Sequence, residues 1–125
     1  MARLTFKEIA EHFSSGRFSE VEAFLSEEIV WNIYEEKQII TGKHQVTEFM
    51  KTVGNFFGSV TTRFETFGIL EEADKVAIYG RAEFIRGSTI VNTVYSCDIY
   101  IFNSFGKIKK VHSYCNSSRP NINIK

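Results

Sequence analysis

Two hydrophobic periods succeed one another along the chain, and their order predicts its architecture. From Thr5 the apolar residues Phe6, Ile9, Ala10 and Phe13 recur three and four positions apart, the stripe of an amphipathic helix. Thr5 and Glu8 have the spacing of a capping box, in which each side chain satisfies the other's free backbone N–H. Ser14-Ser15-Gly16 ends that helix. A second short helix is expected from Ser19, with Glu22 as the reciprocal cap, Val21, Phe24 and Leu25 inward and Phe18 as a hydrophobic staple. The period then changes to two over Ile29-Val30-Trp31-Asn32-Ile33-Tyr34, β-branched and aromatic, which predicts a strand. A short extended piece, Gln38-Ile39-Ile40, precedes Thr41-Gly42 and a third helix with Val46, Phe49, Met50 and Val53 on one face.

The second half is strand throughout. Residues 59–71, 75–86, 88–103 and 107–117 alternate at period two and are joined by connections too short for anything but antiparallel hairpins. Amphipathic helices must then cover the apolar face of the sheet, giving an α+β domain over residues 1–119 followed by a polar tail, 120–125.

Composition narrows the reading. The chain has 125 residues, one domain's worth, and its 15 basic and 15 acidic side chains cancel. Lys107, Lys109 and Lys110 form the one basic run, beside Gly106, so neither nucleic acid nor an anionic membrane is an expected partner. The N-terminus is charged at Arg3, Lys7, Glu8 and Glu11, no long apolar run follows, and the expected location is cytoplasmic. Cys97 and Cys115 lack metal or redox spacing and are expected as free thiols; no cofactor and no metal are expected. The unusual quantity is aromatic content, 14% with 12 Phe, which fills either a core or the walls of a cavity.

The order of elements resembles the nuclear transport factor 2-like superfamily, and within it the SnoaL-like domain proteins. "SSGRFSEVEAFLSEEIVWNIY" is similar to the family's small-residue turn, second helix and first strand, "ITGKHQVTEFM" to its Gly-led helix, and "YSCDIYIFNSFGKIKKVHSY" to its last hairpin. The resemblance implies three N-terminal helices packed on a strongly curved antiparallel sheet, a conical half-barrel with a pocket. The family holds polyketide cyclases, and ketosteroid isomerase and limonene epoxide hydrolase share the scaffold, so fold alone does not yield function.

Asp98 is the leading chemical candidate, a carboxyl inside the apolar run Val94–Phe102. It either lines a pocket, where desolvation raises its pKa, or pairs with an Arg or Lys of a neighbouring strand. By resemblance it falls where ketosteroid isomerase has its pocket Asp donor, while Ile9 and Ile33 replace that enzyme's other two catalytic groups, which disfavours steroid isomerisation. His112 faces Asp98 as an acid–base partner in one hairpin register; a register one residue on sets Ser113 there instead, and the resemblance favours the latter, with Ser113 and Cys115 inward. Arg81 and Glu83 resemble an epoxide hydrolase pair in spacing, but Val76, Ile78, Gly80, Ala82 and Phe84 make the better core face and leave that pair outside. His12 and His44 are expected in solvent. Phe13, Trp31, Phe49 and Met50, with Ile9, Ile33 and Tyr100, complete the expected binding wall.

These residues predict a largely apolar pocket for a small hydrophobic molecule, with proton-transfer, cyclase or hydratase-type chemistry at Asp98, and a homodimer formed through the outer face of the sheet. The competing expectation is a filled core in a protein-interaction module.

Overall fold

A computed structural model describes residues 4–117. The first helix, α1 (Phe6–Ser14), begins where expected: Thr5 Oγ1 accepts from the Glu8 N–H at 3.1 Å, and Glu8 Oε1 accepts from the Thr5 N–H at 2.9 Å. Its stripe of Ile9, Ala10 and Phe13 is buried.

The expected second helix is not an α-helix. Two 3₁₀ turns, Phe18–Glu20 and Glu22–Phe24, occupy its place, and Ser19 makes no cap. Val21 and Leu25 must both enter the core while Leu25 already begins a strand, so packing overrides the helical preference of the intervening residues. Among the described residues the α-helices are therefore two, α1 and α2 (Lys43–Gly58).

Six strands follow as β1 (Leu25–Ile33), β2 (Gln38–Thr41), β3 (Thr61–Glu72), β4 (Lys75–Arg86), β5 (Thr89–Phe102) and β6 (Ile108–Ser117). They form one sheet in the order β2-β1-β6-β5-β4-β3. The expected all-antiparallel sheet is corrected here as well, because β1 runs parallel to β6, with Trp31 opposite Val111. Hairpin logic governs neighbours in sequence, whereas β1 and β6 are joined through most of the chain and carry no such constraint. The β5–β6 register sets Asp98 opposite Ser113 and Ile99 opposite His112.

The sheet curls where β3 bulges at Phe67, between the pairs Thr66–Gly80 and Gly68–Tyr79. Gly80 allows the approach, since a Cβ there would strike the Glu65 carbonyl oxygen of β3. The helical layer fills only part of the resulting trough. Phe6 stacks on Phe102 at 4.0 Å, and Phe13 sits edge-on to Trp31 and Tyr100 at 4.9 and 5.2 Å. With Ile9, Met50, Ile108 and Val111 these rings form a closed core under the C-terminal half of β5. Under its N-terminal half the trough stays open as far as the end of α2, where Phe56 and Phe57 touch Phe84 and Phe57 also meets Phe64 edge-on. Among the described residues no helix is long and apolar enough to cross a membrane. The polar tail, 120–125, lies outside the described residues.

Because a backbone carbonyl cannot step aside as a flexible side chain would, Gly80→Ala is expected to lower stability by about 2 kcal/mol or more in a urea melt. A variant as stable as the parent would show that the bend does not depend on this glycine.

Candidate functional site

The open half of the trough is a cavity of about 890 Å³. One wall is aromatic and aliphatic, from Phe13, Phe18, Trp31, Ile33, Phe49, Val53, Phe57 and Phe84. The other, from β5 and β6, is polar: Asn92, Ser96, Asp98, Ser113, Cys115 and Ser117. Exposed Arg17, Glu35, Glu36 and Glu65 stand at its rim. This division follows from strand parity, because every second residue of β5 from Asn92 to Asp98 points inward and only Val94 among them is apolar.

Asp98 sits where cavity and core meet, next to fully buried Tyr100 along the same face. Two hydroxyl relays converge on it. Ser14, at the end of α1, donates to Asp98 Oδ2 at 3.0 Å, and since that uses its only proton, the Tyr100 hydroxyl donates to Ser14 Oγ at 2.6 Å. From the other side Trp31 Nε1–H donates to Ser113 Oγ at 2.9 Å, and the Ser113 hydroxyl hydrogen-bonds Asp98. The cross-strand neighbours of Asp98 are Ile78 and Ser113, neither a cation, which removes the salt-bridge alternative. Desolvation accordingly raises the Asp98 pKa, while the Ser113 and Ser14 hydrogen bonds oppose the rise by favouring the ionised form. Burial, then the Asp98 charge, lifts the Tyr100 phenol well above its ordinary value, and the same two causes push the Cys115 thiol up to about 12, so neither is a nucleophile at neutral pH.

The structure sorts the expected residues. Asp98, Phe13, Trp31, Ile33, Phe49, Ser113 and Cys115 are brought together on the cavity wall. Ile9, Met50 and Tyr100 are in the packed core instead, and Tyr100 reaches the site only through Ser14. His112 lies on the opposite face of the sheet, where its Nδ1 and the Tyr34 hydroxyl are 2.8 Å apart, so it makes no acid–base pair with Asp98. Burial, then Lys110, lowers its pKa. Arg81 and Glu83 form cross-strand ion pairs, with Glu65 and Arg63 respectively; strand parity turns them away from Asp98, although Arg81, like Glu65, also borders the cavity rim. His12 is not in open solvent but half-buried, its Nε2 lying 3.2 Å from Glu20. Sequence reasoning missed Ser14, Asn92 and Ser96. Ser96 and Asn92 follow from Asp98 by parity, and Ser14 from Ala10 by one helical turn. Among the described residues no cluster of three His, Cys, Asp or Glu could hold a metal ion.

The raised Asp98 pKa has a sign that can be measured. The unfolded chain loses this proton near the ordinary 3.8, the folded chain only at higher pH. Stability is thus fully present below that value and falls as pH rises above it. In urea melts the wild type is expected to lose stability relative to Asp98→Asn from about pH 4 upward. Parallel stability curves for the two proteins would contradict the assignment.

Comparison with known proteins supplies the family. A family model described as SnoaL-like domain matches residues 6–111. No curated protein matches the chain in sequence. Among solved structures, a nuclear transport factor 2-like protein of unknown function from Cytophaga hutchinsonii is 29% identical, with TM-score 0.75 over 86% of this chain and 93% of that one. A candidate SnoaL-like polyketide cyclase from Shewanella putrefaciens is 9% identical, with TM-score 0.70 over 90% and 80%. An LEH-like epoxide hydrolase from M. tuberculosis is 17% identical, with TM-score 0.62 over 85% and 75%. The two enzymes share the fold at identities that carry no activity across. With the greater part of its length matched by the family model and its fold shared with these structures, the chain belongs to the SnoaL-like domain family of the nuclear transport factor 2-like superfamily.

Proposed function

We propose that this chain binds a small, largely apolar molecule in the cavity and uses Asp98 to donate a hydrogen bond or a proton to an oxygen of that molecule. The observation that carries the reading is the placement of one carboxyl, with raised pKa and no cation beside it, at the inner end of a cavity walled by rings. A carboxyl in that state remains a donor at higher pH than a solvated one, the property required to stabilise a developing enolate or alkoxide. The Ser14 and Ser113 hydroxyls hold it in place, and the apolar walls exclude water that would compete for the same oxygen. Isomerisation, cyclisation or hydration of a cyclic ketone or related compound fits this arrangement, and none of these requires a redox group. Native mass spectrometry of the purified protein is expected to show a bound small molecule, with affinity for it reduced about tenfold in Asp98→Ala, the carboxyl's hydrogen bond being lost. An unchanged ligand profile in that variant would leave Asp98 without a binding role.

A second reading concerns the outer sheet face, where Tyr34, Phe67, Tyr79, Tyr95 and Tyr114 are exposed side by side. We propose that a second copy of the chain covers it. Its charges are already neutralised within one chain by the pairs Arg63–Glu83 and Arg81–Glu65, so like faces meet without repulsion. Sedimentation equilibrium is expected to give a dimer for the wild type and a monomer for Tyr79→Glu. A monomeric wild type would sink the pairing and leave the cavity reading untouched.

A further inference from the structure

We propose that Ser96 is the specificity-determining contact of the cavity, and that the ligand is a flat ring compound with two oxygen functions on one edge, the first meeting Asp98 and the second the Ser96 hydroxyl. The inference rests on the cavity-binding reading above and deepens it. Ser96 precedes Asp98 by two residues on β5 with the register unbroken, so both side chains leave the same face about 7 Å apart at ~3.3 Å per residue. Both line the cavity.

Of the three serines on the polar wall, two have already committed their hydroxyl protons. Ser113 hydrogen-bonds Asp98 while accepting from Trp31, and Ser117 donates to Glu35 Oε1 at 3.0 Å. Ser14, at the end of α1, donates to Asp98 as well. Among the described residues the Ser96 hydroxyl has no hydrogen-bond partner, yet it is not one of the sealed unpaired atoms, which are His12 Nδ1 and Asn92 Oδ1. It therefore opens on the cavity that Ser96 lines. A ligand that takes the place of water there must supply an equivalent hydrogen bond or lose affinity.

The surroundings leave that hydroxyl approachable. Ser96 stands between Gly80 of β4 and Cys115 of β6, whereas Asp98 stands between Ile78 and Ser113. Gly80 offers no side chain and tolerates none, since a Cβ would strike the Glu65 carbonyl oxygen, so the wall on that side of Ser96 is backbone rather than bulk. The other wall of the cavity carries the rings of Phe13, Trp31, Phe49 and Phe57, and a flat ring lying against them presents its edge to β5. Both ligand oxygens then belong to one edge, because Asp98 and Ser96 belong to one strand face. A serine hydroxyl donates or accepts, so the second oxygen is a carbonyl or a hydroxyl alike. The two contacts differ in kind: Asp98 meets the oxygen that takes the hydrogen bond or proton, and Ser96 fixes which way round the ring lies, hence which of its carbons sit beside the carboxyl.

Two isomeric naphthalenediols test this by calorimetry, each with one hydroxyl on an outermost carbon of either ring, on the same edge in one isomer and on opposite edges in the other. Being equally apolar, they differ only in whether both oxygens can reach one wall. The wild type is expected to bind the same-edge isomer about fivefold tighter, the effect of one neutral hydrogen bond. In Ser96→Ala that preference should vanish, while affinity for the naphthol with a single such hydroxyl stays within about twofold of wild type. The variant removes no hydrogen bond between described residues and should melt with the wild type. In Asp98→Ala all three probes should bind more weakly. A preference that survives in Ser96→Ala overturns the inference. Equal affinities of the two isomers in the wild type overturn it too, and leave the cavity reading standing where Asp98→Ala still weakens both. Binding of no probe removes the cavity reading and this inference together.

Discussion

Everything in this chain depends on a mismatch of extent: a curled six-stranded sheet offers more concave surface than two helices and two 3₁₀ turns can cover. Closure is possible at one end, where Phe6, Phe13 and Trp31 pack on Phe102, Tyr100 and Val111. Between that end and the rings of Phe56 and Phe57 at the exit of α2, the bend at Gly80 carries the strands around empty space. A flatter sheet would lie on its helices without a hollow. The cavity is thus the uncovered remainder of the same apolar face that makes the core, and its walls are aromatic for that reason.

Where core gives way to cavity, polar groups become tolerable only if each is satisfied, and the chain meets that condition with hydroxyls. Ser14 joins helix to sheet by accepting a hydrogen bond from the Tyr100 hydroxyl and donating its own to Asp98. Ser113 does the corresponding work for Trp31. Neither relay contains a charge apart from Asp98 itself, so only the two serine hydrogen bonds oppose the cost of ionising it, and desolvation decides the direction of its pKa. A lysine in place of either serine would have produced an ordinary buried ion pair with no reactive proton.

What could be read in advance follows the range of the forces involved. Local signals were reliable: the Thr5–Glu8 box, the Gly42 entry to α2 and the four long strands all lie within about two residues of their expected bounds. Parity alone left His112 and Ser113 as alternatives opposite Asp98; the family resemblance favoured Ser113 and Cys115 inward, which is the register found. The failures are long-range. Helical spacing at Val21, Phe24 and Leu25 gave way to the demand that Leu25 join a sheet, and the parallel β1–β6 pair is invisible to any pattern within a few residues. Ile9, Met50 and Tyr100 were right as inward residues, but which inward positions meet other side chains and which meet space is a property of three elements at once. Ser14 escaped notice for the same reason, since a serine at a helix end looks like a terminator until the strand beneath it is known.

The hydrogen bond from Trp31 to Ser113 has one more consequence. The chain contains one Trp, so its near-ultraviolet emission comes from one indole in the cavity wall, flanked edge-on by Phe13 and Phe49 at 4.9 and 5.3 Å. Indole emission responds to the polarity around it and to the partner of its N–H, and here that partner is a hydroxyl bonded to Asp98. The molecule carries a built-in optical gauge of its own interior, which senses both what enters the hollow and whether the carboxyl behind it holds a proton.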